Sequence, residues 1–332
     1  MVTSNDFVQL DYTSDLTKAG IVYACRSLAY TYDRMGGSLL NRMRRIVAGV
    51  AVELAFRRFL DSKGVPYDIL GVTPFTEPDR YDIAIGGRRC DVKSFLILQK
   101  KRIQLIQQKP DRLLSAQALV PIDQACSSHA TDSDIFIFAF LNALITPNLR
   151  TLSKALQARQ PVHLIHVMPA HWSRPRSWES LGRLVLKSDF SQSIEVEVGG
   201  QNREKAFQVE HINLPPRQRT CLQKDFYTVS YLHVPWLPPR MIGIHSPSLE
   251  ETYLIQPVEW GNIWIYGFQI ILTGYLSRGE FRQEACNLPA GSQVFQYSQT
   301  RADNLALPIQ QLKPVAELVN AARMWPQPPS LP

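Results

Sequence analysis

One dipeptide limits the folds open to this chain more than any other stretch: Gly86-Gly87, lying between Tyr81-Asp-Ile-Ala-Ile85 and Arg88-Arg-Cys-Asp-Val-Lys-Ser94. Two glycines between alternating runs read as a two-residue β-hairpin turn. That turn pairs Ile85 with Arg88, Ala84 with Arg89, Ile83 with Cys90 and Asp82 with Asp91. Side chains alternate along a strand, so Lys93 joins the face of the two acids. Tyr81, Ile83, Ile85, Cys90 and Val92 take the other face as core. Directly opposed carboxylates lie roughly 5 Å apart at Cβ and destabilise a sheet unless something cationic sits between them. A hard divalent ion such as Mg²⁺ suits that gap, because it takes carboxylate and water oxygens. A neighbouring ammonium orients or helps deprotonate a metal-bound water.

An acid on one strand (Asp82) followed by Asp91-Val-Lys93 on the next resembles the pattern of the PD-(D/E)XK nuclease superfamily, the fold of many restriction and repair endonucleases. The resemblance covers about Leu39 to Leu98. It implies an α/β fold: a restriction endonuclease-like α/β sandwich with a central mixed sheet. It also implies a Mg²⁺ ion, for which Mn²⁺ substitutes, held by Asp82, Asp91, the Val92 backbone carbonyl and Glu53. The catalytic set it implies is Lys93 with Asp82, Asp91 and Glu53. Glu53 enters as the helical acid, on a segment with Leu40, Met43, Val47, Val50 and Leu54 at helical spacing. Small residues at Ala48, Gly49 and Ala51 would let that helix lie close to the sheet near the acids. An i, i+4 pair with Arg57 is the plainer role for the same side chain.

Two look-alikes are set aside. Asp79 of Pro78-Asp79 stands three residues before Asp82 and faces the other side of a regular strand, so it serves only if a bulge intervenes. Asp61-Ser-Lys63 ends a helical pattern just before Gly64, where a solvated helix terminus explains it.

A nuclease needs affinity for a polyanion, and the chain carries 36 Lys and Arg against 29 Asp and Glu, a net charge of +7. Such a balance favours phosphate contacts. The expected nucleic-acid contacts are Arg44, Arg45 and Arg57 on the Glu53 helix, Arg88 and Arg89 at the hairpin, and Lys100 and Lys101 beyond it. Double-stranded DNA is the expected substrate, in a restriction, defence, repair or transposition setting, and a homodimer or a protein partner stays open. Two other functions compete. One is a non-catalytic nucleic-acid-binding or assembly protein that keeps the fold. The other is a nuclease for RNA or single strands, hinted at by Trp260-Gly-Asn-Ile-Trp-Ile-Tyr-Gly-Phe268, whose rings could stack on bases or fill a strand core.

Five cysteines, odd in number and without a Cys-x-x-Cys, argue for a reducing compartment and against structural zinc. His163, His166 and His171 read as structural or surface residues. Apolar runs such as Ile135 to Leu141 are too short to span a bilayer. No charged segment followed by an apolar one opens the chain, so a cytoplasmic location without membrane contact is expected. The organisation expected is a nuclease-like domain over 13–170, a β-rich region for target recognition or a partner over 171–320, and a Pro-rich tail over 321–332. Helices are expected from Ser14 through Tyr30, Leu39 to Lys63 and Leu149 to Ala158. A helix with a loop is expected between Lys100 and Cys126.

Overall fold

The computed structural model describes residues 1–30, 38–69, 83–127 and 131–325. In chain order, β1 (Val8–Asp11) leads to α1 (Ser14–Ser27) and α2 (Leu39–Ser62). The hairpin is β2 (Ile83–Ile85) and β3 (Arg88–Ile97), followed by α3 (Lys100–Gln108), β4 (Gln117–Pro121), α4 (Ile122–Ala125) and β5 (Ile135–Leu144). Next come α5 (Leu149–Gln157), β6 (Leu164–Val167) and α6 (Ala170–Ser173). A strand-rich stretch holds β7 (Val185–Ser188), β8 (Ile194–Gln201), β9 (Phe207–Leu214), β10 (Arg219–Cys221) and β11 (Thr228–Val234). It continues with β12 (Ile242–Ser246), β13 (Glu251–Ile255), β14 (Gly261–Asn262) and β15 (Tyr266–Ser277). Last are α7 (Arg278–Glu284), β16 (Cys286–Leu288), β17 (Asn304–Pro308) and α8 (Val315–Ala322). No helix among the described residues is long and apolar enough to cross a membrane.

The turn has the backbone its sequence demands. Gly86 (φ +54°) and Gly87 (φ +73°) both occupy left-handed space, which a type I′ turn requires and glycine adopts at no steric cost. The described register is Ile83 with Cys90, Ala84 with Arg89 and Ile85 with Arg88.

Five strands in the order β1-β15-β5-β3-β2 form a mixed sheet. In it β3 and β5 run parallel through the α3 crossover and the other neighbours are antiparallel. The sequence of β5 explains its central place. Ile135, Ile137, Ala139 and Leu141 point to one side, and Phe136, Phe138 and Phe140 to the other. A strand buried on both faces reads as an unbroken apolar run, and each such side chain contributes roughly 1.5–3 kcal/mol on burial.

The aliphatic face lies under α1, α2 and α8. Helix α2 starts at Ser38, whose hydroxyl accepts from the Asn41 amide at 3.3 Å. It stops in a Schellman arrangement, with Val65 N donating to Leu60 O and Gly64 N to Asp61 O, both at 3.0 Å. Helix α1 crosses it closely because Gly20 has no side chain, and a Cβ there would sit 2.6 Å from the Val47 carbonyl oxygen. The phenylalanine face packs on α3, α7 and a three-stranded sheet in the order β16-β17-β4.

A second lobe pairs the sheets β14-β6-β11-β8-β9 and β10-β7-β12-β13 around one core that includes Leu186, Val196, Leu232, Ile244, Trp172 and Trp260. The β-rich character expected beyond residue 170 is therefore present, and the molecule is a mixed α/β protein with several sheets.

The division expected at residue 170 is corrected. Strand β15 sits inside the first sheet between β1 and β5, and β17 pairs with β4, so the segment from 266 to 322 returns to the first lobe. Conversely β6, placed by sequence in the first domain, belongs to the second lobe. Strand pairing is non-local, and an amphipathic strand carries no mark of which sheet it joins. Strand β4 falls in the stretch expected to be helix and loop. Of the tail, residues 326–332 lie outside the described residues.

Candidate active site

Strand β3 carries the site because its alternation splits its side chains between the two cores. Cys90, Val92 and Leu96 pack toward α1 and α2, whereas Phe95 and Ile97 pack on the opposite side. Asp91 and Lys93 share the parity of Phe95, so they project from that opposite face. There the Lys93 ammonium lies 2.5 Å from Asp91 Oδ2, donates to Gln124 Oε1 at 2.7 Å, and sits 5.7 Å from the centre of the Phe136 ring. The Lys93 side chain is 14% exposed and that of Asp91 29%. At the start of the strand the Arg89 amide donates to Asp134 Oδ1 at 3.3 Å. Asp82, the fallback Asp79 and Tyr81 lie outside the described residues.

Glu53 is not brought to this face. Its helix does approach the sheet through small residues, since a Cβ on Gly49 would meet Ser94 Oγ at 3.8 Å. Ser94, however, has the opposite parity from Asp91 and Lys93. Helix α2 covers the side of β3 that carries Ser94, and Glu53 makes the i, i+4 ion pair with Arg57.

The expected nucleic-acid contacts also separate. Arg44 is corrected outright. It is 5% exposed, and its guanidinium donates to Asn262 O (2.9 and 2.7 Å), Thr146 O (3.0 Å) and Asn41 Oδ1 (2.9 Å). It ties α2 to the start of the second lobe and presents nothing to a phosphate. Arg57 is engaged by Glu53, Arg45 and Arg89 are half-buried, and the Arg88 guanidinium stacks 4.0 Å from the centre of the Trp325 ring. Lys100 and Lys101 are exposed, but they follow the far end of β3, roughly 20 Å from Asp91 at strand rise. Neighbours in sequence along a strand are not neighbours in space.

A Mg²⁺ ion is bound through one or two carboxylates plus waters. Among the described residues the hairpin offers the partly exposed carboxylate of Asp91, whose Oδ2 meets the Lys93 ammonium. No group of three or more His, Cys, Asp or Glu able to hold a metal occurs among the described residues. The second acid that the sequence puts forward, Asp82, lies outside the described residues. The histidines stand away from the hairpin face. Burial and His233, stacked 3.7 Å away, push His163 down to about 3, and His171 contacts Glu251 at 2.7 Å. Gln124 is the partner of Lys93 that sequence reading did not name. It stands 31 positions from Lys93 in a strand-and-helix segment that offered no periodicity to reveal it.

Comparison of the chain with protein-family models, with curated proteins and with solved structures finds no match.

Proposed function

We propose that this protein is a metal-dependent endonuclease that hydrolyses DNA phosphodiesters on a restriction endonuclease-like core. The observation that carries the reading is the presentation of Asp91 and Lys93 together on one partly open face of a strand next to a parallel neighbour. The order of elements supports it. Helix α2, an acid-bearing hairpin, helix α3 and the parallel strand β5 are the parts such a sandwich calls for. In this reading Asp82, Asp91 and the Val92 carbonyl hold Mg²⁺, which supplies Lewis-acid polarisation of the phosphate and an acidified water. Lys93 orients the attacking water and offsets charge that develops on the phosphorus oxygens. In this reading Glu53 serves as the i, i+4 partner of Arg57 on the helix-covered face and stands outside the catalytic set.

One observation favours a second reading, a nucleic-acid-binding protein without catalysis: the ammonium of Lys93 is already enclosed by Asp91, Gln124 and Phe136. The single-strand or RNA reading loses its motive, since Trp260 and Trp264 are buried and only Phe268 of that cluster's end, 50% exposed, is presented to solvent. Purified protein incubated with supercoiled, linear and single-stranded DNA and with RNA, in Mg²⁺, Mn²⁺ or EDTA, separates the three. Metal-dependent cutting of duplex DNA that disappears in Asp91→Ala is the expected result. Cutting by Asp91→Ala at the wild-type rate overturns the assignment.

A further inference from the structure

A lysine side chain is long and flexible, so its strand sets where it starts and not where its charge ends. The Lys93 ammonium ends between three neighbours, and the one that is neither on β3 nor apolar is Gln124, 2.7 Å away. Gln124 belongs to α4, a helix of four residues. A single turn leaves its carbonyls unsatisfied and does not hold itself together. Those carbonyls are taken by Arg278. This arginine is 2% exposed and donates to Ala125 O at 2.9 Å, to Ser127 O at 2.7 Å and to Gln124 O at 3.2 Å.

Arg278 is fixed in turn. Its amide donates to Asp134 O at 2.7 Å, the next amide, of Gly279, donates to Asp132 O at 3.0 Å, and Arg282 pairs with Asp132. Phe281 on the same helix packs 5.6 Å from Phe136, the ring beneath Lys93, and 5.5 Å from Phe138. Helix α7 thus grips α4 on one side and braces the floor of the site on the other.

We infer that Gln124 is the positioning residue for Lys93 and that Arg278 clamps α4 so that it can act as one. The segment that follows β15 is then part of the catalytic apparatus and not a separable recognition module. The inference deepens the nuclease reading and rests on it for the role of Lys93, while the contact itself is testable without cleavage.

The full-length protein is pulsed with an amine-acylating reagent, and the labelling rate of Lys93 is read by peptide mass spectrometry, with the other lysines as internal controls. Gln124→Leu should label Lys93 about tenfold faster, the loss expected for one hydrogen bond to a charged group, with melting little changed. Gln124→Glu keeps an acceptor and should restore protection. On duplex DNA in Mg²⁺, Gln124→Leu should lower kcat about tenfold and leave KM unchanged. Equal labelling of Lys93 in Gln124→Leu and wild type overturns the positioning role. Arg278→Lys keeps the charge but loses the fork, so unchanged protection of Lys93 in that variant overturns the clamp. If no form of the protein cuts DNA, the nuclease reading falls, and the labelling rates still decide the contact.

Discussion

Two of the places where charged or titratable side chains are drawn away from solvent differ in what they leave open. At the seam between the lobes, α1 and α2 meet β8, β11 and β14. There the Arg44 guanidinium is taken up by Asn262, Thr146 and Asn41, and the Tyr231 hydroxyl donates to Glu197 Oε1 at 2.6 Å. His163 and His233 lie stacked and are held neutral by burial. On β3, the Lys93 ammonium is met by Asp91 and Gln124, and the Asp91 side chain stays 29% open to solvent. The charge of Arg44 is answered inside the protein, and that of Asp91 is shared between Lys93 and solvent. Buried charge points to function where its partners run out, and to architecture where they do not.

The largest effect that tests this contrast belongs to the hairpin. Asp91→Ala should cost about 10³-fold in Mg²⁺-dependent cleavage, the equivalent of several kcal/mol of lost metal and transition-state stabilisation. Its melting temperature should hold, because a partly exposed ion pair contributes little to stability. A variant that cuts normally but melts early would move Asp91 into the architectural class.

Arg44→Met should do the reverse. It strips the Thr146 and Asn262 carbonyls of their buried donors and should cost about 3 kcal/mol in urea denaturation. Cleavage per folded molecule should stay unchanged. Loss of DNA affinity without loss of stability would return Arg44 to the nucleic-acid surface.

The seam also predicts a pH dependence. His163 and His233 bind protons in the unfolded chain near the ordinary value of 6.5 and resist them when folded, His163 down to about 3. The unfolded state therefore holds more protons below pH 6.5, and stability falls with pH there. The slope is up to about 1.4 kcal/mol per pH unit for each histidine. The folded state gives a reason: His163 Nε2 has no hydrogen-bond partner among the described residues. Melting curves at pH 7, 6 and 5 should show the decline, and His163→Phe should flatten it by one proton's worth. An unchanged slope in that variant would place the titrating group elsewhere.

What could be read beforehand was local. The Gly86-Gly87 turn set the register of Ile83 to Ile85 against Arg88 to Cys90, and the periodic segment from Leu39 to Lys63, closed by Gly64, matched α2. What could not be read was tertiary. Arg44 looks like any helix arginine until Asn262, 218 residues away, supplies its acceptor. Gln124 is silent until α4 folds over β3. The place of β15 between β1 and β5 depends on partners that an alternating strand pattern does not name.

The smallest effect is the one that best separates the two faces of β3. With Glu53 in an i, i+4 pair on the helix-covered face, Glu53→Gln should cost less than about 1 kcal/mol of stability. The variant should also leave the cleavage rate within about threefold of wild type, a barrier change of less than ~1 kcal/mol. The superfamily resemblance predicts otherwise, since a helical acid that orients Lys93 or an ion should lose activity about a hundredfold or more when neutralised. Cleavage kinetics of Glu53→Gln beside Asp91→Ala decide between them. A deep loss in both would mean that Glu53 reaches around the hairpin edge to the acids, and that the plane of the sheet does not divide the site.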